Sequence, residues 1–239
     1  MTKGLLKDFI REIRKTLGRF LSIFLIVLIG VSFFSGVKAS APDMRHSADM
    51  YFDEYNMTDI RVLSTLGLTD DDIEEISKIE GVENVQPGYF VDAVSMVRSA
   101  EYVFRIHSLP EKSRKGENYI NAINLTEGRL PEKSGECVLE KSNILNNGLK
   151  IGDTITLSSG TDEDIKEKSL KENTFTIVGI GTSPYYLSYE KGSSDIGSGS
   201  VDFFLYIPEE DFKYDVYLEA LIAVKGASEL NCYSDDYED

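Results

Sequence analysis

Residues 20–37 read FLSIFLIVLIGVSFFSGV. The run contains no charged residue, no Asn, no Gln and no Pro. At about 1.5 Å per helical residue it spans roughly 27 Å, near the hydrocarbon thickness of a bilayer. A backbone in lipid must close its own hydrogen bonds, so the run is expected to be a transmembrane helix. Ser22, Gly30, Ser32, Ser35 and Gly36 are small enough to admit a second helix closely.

The flanks orient that helix. Residues 1–19 carry six basic and two acidic side chains, while the whole chain has a net charge of −16. Residues 20–239 therefore sum to −20. The positive-inside rule places the N-terminus in the cytoplasm and the acidic remainder beyond the membrane. Leu6, Phe9, Ile10, Ile13, Leu17 and Phe20 form a helical stripe, so residues 1–19 are expected to be a basic amphipathic helix on the inner surface, with Gly18 as a bend. The triplet Ala39-Ser40-Ala41 also fits a signal-peptide cleavage site. The length of the apolar run and Pro42 directly after the triplet favour an uncleaved helix.

Residues 38–57 are expected to be a stalk, and residues 58–239 an α+β extracytoplasmic domain built around one sheet. Residues 58–64 alternate as a strand. Thr69 with Asp72 forms a capping box, and Leu68 with Ile73 a hydrophobic staple, for a helix burying Ile73, Ile76 and Ile79 and stopping at Gly81. Capping accounts for Asp70, Asp71 and Asp72 better than a calcium site does. Residues 82–98 read as one strand broken at Pro87-Gly88, and residues 101–109 as another with Tyr102, Phe104 and Ile106 on one face. A charged loop follows at 111–118.

The remainder carries an ordered set of turns and strands. Gly128-Arg129-Leu130-Pro131 is a turn, Gly135-Glu136 opens a strand ending near Glu140, and residues 142–147 form a short helical or turn segment. Gly152-Asp153 turns into the strand 154–157, and another strand ends in Ile177-Val178-Gly179-Ile180. Residues 203–208 make a strand, Pro208 starts a short helix, and residues 216–226 close the domain as a strand partly buried on both faces. The acidic tail after Leu230 is expected to fray.

This order resembles the extracytoplasmic core domain of FtsX-like and MacB-like ABC transporter permeases. Gly128, Arg129, Pro131, Gly135, Glu136, Gly152 and Asp153 stand at the motif positions. The resemblance implies a MacB-type mixed-sheet domain behind one membrane helix, with these residues in structural roles. It also implies a separate cytoplasmic ABC ATPase partner, an extracytoplasmic protein or lipid-like substrate, dimeric assembly, and more membrane helices after Asp239.

The chemistry available in the chain agrees with a non-enzymatic role. It has no Walker motif, no G-x-S-x-G, and only His46 and His107, which show no partnering cluster. No catalytic, metal or cofactor residue is assigned, and no basic face points to nucleic acid. Cys137 is expected to be a buried thiol rather than bonded to Cys232. The loop 183–200, rich in Gly, Ser and Tyr, lacks the strand-then-helix frame of a phosphate site. It reads first as a plain surface loop, and as the alternative its Tyr185, Tyr186 and Tyr189 are candidates for contact with a partner. Asn56 and Asn124 head glycosylation sequons, which are common by chance. Two other functions compete with the permease. One is a stand-alone, single-span anchored binding domain; the other is a hydrolase, for which no nucleophile–base pair is visible.

Overall fold

The protein is described by a computed structural model covering residues 2–146 and 148–238. It divides into two units, 1–49 and 50–239. The first contains helix α1 (Thr2–Lys15) and most of α2 (Leu17–Glu54). The break falls at Thr16 rather than at Gly18, which lies inside α2. The Thr16 hydroxyl donates back to the Glu12 carbonyl at 2.9 Å, alongside the Thr16 N–H bond to the same carbonyl at 3.1 Å. No residue between Phe20 and Val37 is buried; Ile26 and Phe33 are 70% and 73% exposed. A helix apolar all round and covered by nothing within its own unit suits lipid.

The second unit is α+β with two sheets rather than one. Strands β1 (Ile60–Leu68) and β2 (Val82–Gly88) flank the C-terminal strand β10 (Tyr217–Val224) in a three-stranded antiparallel sheet. Between β1 and β2 lies α3 (Asp70–Ser77), whose capping box is formed: Thr69 N donates to Asp72 Oδ2 at 2.8 Å. Ile73 and Ile76 are half-buried, but Ile79 lies beyond the helix and is 57% exposed, so it is not the third core residue expected.

The larger sheet is mixed and begins with β3 (Phe90–Val97) and β4 (Ala100–Leu109). It continues with β5 (Asn124–Gly128), β6 (Glu136–Glu140), β7 (Thr154–Thr156), β8 (Thr174–Thr182) and β9 (Phe203–Pro208). The order is β3-β4-β9-β6-β8-β5, with β7 paired to β8. Short helices α4 (Glu111–Arg114), α5 (Asn143–Asn146) and α6 (Ile165–Lys168) fill connections, and α7 (Asp235–Glu238) lies in the tail after β10. Residues 111–114 are thus helical rather than part of a charged loop.

Strand β9, FFLYIP, is central and buried along its whole length. Phe203, Leu205 and Ile207 join Phe104, Ile106, Phe175 and Ile177 in the main core. Phe204 and Tyr206 join Leu109, Tyr119 and Val138 on the opposite face. The chain passes from the small sheet to the large one at Tyr89, whose N–H donates to Ser108 Oγ at 2.9 Å. The Tyr89 ring stacks on Phe212 and lies 5.2 Å from Tyr217, so this crossing point is packed in aromatics.

Candidate functional site

Two constructions hold the second unit in shape, and a third shapes its surface. The first gathers the motif residues. Gly128 ends β5 with φ +77, and a Cβ there would lie 2.2 Å from the Val178 carbonyl oxygen, so only glycine fits. The chain then turns and Arg129 reaches Glu136 with two bonds, Nη1 to Oε2 at 2.8 Å and Nη2 to Oε1 at 2.7 Å. Glu132 N–H adds a third at 2.9 Å. Arg129 beside it brings the Glu136 carboxyl down to about 2. Pro131 is buried within this turn. Gly135 N–H donates to Asp211 Oδ2 at 3.2 Å and Ser134 Oγ donates to Oδ1, tying the turn to the segment after β9. Gly152, at φ +94, donates to the Ile177 carbonyl at 2.8 Å, and Asp153 Oδ2 accepts from Lys150 N–H at 2.9 Å. All seven motif residues lie in or beside the backbone turns around β5, β6 and β8.

The second construction joins the two sheets and is not visible as a cluster in the sequence. Glu219, at the middle of β10, is only 3% exposed. Its Oε2 accepts from Arg61 Nε of β1 at 2.6 Å, and Arg61 Nη2 lies equally close at 2.6 Å. Its Oε1 faces His107 Nδ1 of β4 at 3.6 Å. His107 Nε2 in turn is 2.6 Å from the Tyr186 hydroxyl, and its ring stacks on Tyr206. Burial pushes the Glu219 carboxyl up, but His107 and Arg61 outweigh it and leave it below the ordinary range. His107 therefore has partners, contrary to the expectation from sequence. The signal is a glutamate inside the otherwise apolar strand YLEALIAV. A second tie is neutral: Gln86 of β2 exchanges hydrogen bonds with the Ile120 backbone at 3.0 and 3.3 Å. A cavity of about 20 Å³ between these groups has room for one water.

The tyrosine loop divides between these roles. Tyr185 packs against Arg61, with the guanidinium 5.3 Å from the ring centre, and Tyr186 stacks on Phe204 at 5.0 Å. Burial raises both phenols. These two rings belong to the joint, whereas Tyr189 is 91% exposed. Tyr189 borders the third construction, a trough of about 940 Å³ lined by Tyr102, Phe203 and a partly buried ion pair. In that pair Lys191 Nζ lies 3.1 Å from Glu140 Oε1. Burial raises the Glu140 carboxyl despite the lysine.

No group of three or more His, Cys, Asp or Glu able to hold a metal occurs among the described residues. Cys137 is buried and forms no disulfide with Cys232. Within the joint's Tyr–His–Glu series, His107 and Glu219 are buried and Tyr186 is partly buried.

No curated protein matches the sequence. Among solved structures, the extracellular domain of the noncanonic ABC-type transporter YknZ from Gram-positive bacteria has 9% identity and a TM-score of 0.42. That comparison covers 70% of this chain and 78% of the other. The periplasmic region of MacB from Actinobacillus actinomycetemcomitans has 14% identity and a TM-score of 0.40, over 68% and 66%. The MacB-like periplasmic core domain, as a sequence family, matches residues 16–230, which take in α2 and all ten strands. By that match, the chain belongs to the MacB-like periplasmic core domain family.

Proposed function

We propose that the chain works as part of an ABC transporter permease, with residues 20–37 of α2 spanning the membrane and the residues after about 38 outside the cytoplasm. A separate cytoplasmic ATPase binds nucleotide, and the outer domain moves an envelope substrate or activates an outer partner. The observation that carries this reading is the family match over residues 16–230, which includes the apolar helix as well as the domain. The charge pattern supports the orientation, with a +4 flank before the helix and −20 after it. For ATP to act on the outer domain, the nucleotide states must differ in free energy between two arrangements of the protein. Directly after α2, within the outer domain, Ala122 N–H donates to the Tyr55 carbonyl at 2.8 Å.

Two measurements test this. Affinity purification of the full chain from its native membranes should recover an ABC ATPase in stoichiometric amount; recovery of none overturns the partner assignment. For topology, Tyr189→Cys and Lys7→Cys are placed separately in a Cys232→Ser background. A membrane-impermeant maleimide should label position 189 in intact cells and position 7 only after permeabilisation. The reverse pattern overturns the orientation.

A further inference from the structure

We propose that the outer edge of β1 is a docking strand for an extended, basic segment of a partner protein. Strand β1 pairs with β10 on one side, and among the described residues no strand pairs with its other side. An unpaired edge of this kind offers a row of backbone donors and acceptors to an incoming chain. Three large apolar side chains stand exposed along it: Ile60 at 50%, Leu63 at 57% and Leu66 at 92%. The strand has no lysine or proline to discourage pairing, and its one charge, Arg61, turns inward onto Glu219. The register is regular from Ile60 to Leu63 and then shifts before Leu68. Ser64 Oγ donates to the Gly67 carbonyl at 2.8 Å within that bulge. The bulge limits an added strand to a short stretch and sets Leu66 beside it, which favours an addressed contact over open-ended aggregation.

Charge identifies the occupant. Residues 50–88 and 214–239, which build the small sheet and its surroundings, contain 17 acidic and 3 basic side chains. Residues 89–213 contain 20 and 14. Of the three basic groups, Arg61 is held by Glu219 and Lys78 by Glu74 and Glu75. Asp59 precedes β1, and Asp70, Asp71 and Asp72 follow it. A second copy of this chain would bring the same acidic lobe to the edge and be repelled. A segment alternating apolar and basic residues would pair its backbone with β1, cover Leu63 and Leu66, and be drawn in by the acidic surroundings.

The test uses the full chain in phosphatidylcholine nanodiscs and a fluorescent nine-residue peptide alternating lysine and valine, matched in length to β1. Binding is read by anisotropy and mapped by amide hydrogen exchange. Expected are new protection at residues 60–63, loss of binding in about 0.5 M salt, and no binding by a glutamate–valine peptide. Leu63→Lys with Leu66→Lys should weaken binding about tenfold or more. Leu66→Lys alone, at a site too exposed to matter for folding, should weaken it in the same direction. The proposal is overturned if the basic peptide does not bind, if protection appears elsewhere, or if both peptides bind alike. It is also overturned if the chain itself dimerises through β1. None of these outcomes bears on ATPase recovery or on maleimide labelling, so the permease reading stands or falls separately.

Discussion

Replacing Glu136 by glutamine should cost about 1.5 kcal/mol of folding stability at pH 7 and less than half of that at pH 3. The folded carboxyl sits at about 2, against an ordinary value of 4.5. By linkage that gap is worth at most about 3.4 kcal/mol. The Arg129 side chain is 44% exposed, so water and salt screen the pair, and roughly half of the maximum is the better figure. The sign follows from proton binding. Glu136 holds its proton more weakly in the folded chain, so its contribution is complete above about 4.5 and is lost as pH falls through about 2. Glutamine keeps the volume but turns an amide N–H₂ toward Arg129 or the Glu132 N–H, both of which are donors. The assay is urea unfolding of the full chain in detergent, followed by near-ultraviolet circular dichroism of its 13 tyrosines, in a sequence without tryptophan. An equal loss at pH 3 and pH 7 would refute the electrostatic account, and a loss under about 0.5 kcal/mol would mean the pair is solvated away.

Three further outcomes can be checked with the same preparation. Gly128→Ala should cost about 3 kcal/mol, since it combines φ +77 with a Cβ 2.2 Å from the Val178 oxygen. Gly135→Ala, at φ +80 but with nothing within 4 Å, should cost only about 1 kcal/mol, and equal losses would contradict the steric argument. Glu219→Ala should cost about 3 kcal/mol by leaving Arg61 unpaired at the joint. The double variant with Arg61→Ala should fall short of the sum of the singles, and strict additivity would show that the two are not coupled. Burial pushes the Cys137 thiol up, so a maleimide should modify it only as the chain unfolds; modification of the native protein, located by mass spectrometry, would count against the fold.

What the sequence makes legible is local. The membrane helix needs only composition over eighteen neighbours, and the Thr69–Asp72 box closes within one helical turn. The turns at Gly128, Gly135 and Gly152 announce themselves because positive φ favours glycine. The break between β2 and β3 is visible at Pro87-Gly88, but its consequence is not. Whether the chain continues one sheet or crosses to another depends on which strand lies alongside, and for β2 that is β10, near the far end of the chain.

The same distance hides the joint. His107 is unremarkable among its neighbours on β4, and Tyr185 and Tyr186 read as surface residues of a glycine- and serine-rich loop. Their roles appear only when β10 carries Glu219 to them. One local clue does exist: a carboxylate at the centre of an apolar strand is costly to bury unless a cation meets it. Glu219 therefore requires a basic partner, and Arg61, the single charge on another β-branched strand of the same lobe, is the nearest match in kind. Matching charges between strands makes β1 a candidate neighbour of β10, but Arg105 on β4 is a second candidate, and only the contact with Arg61 decides between them. Charge matching does not supply His107, whose ring enters from the other sheet.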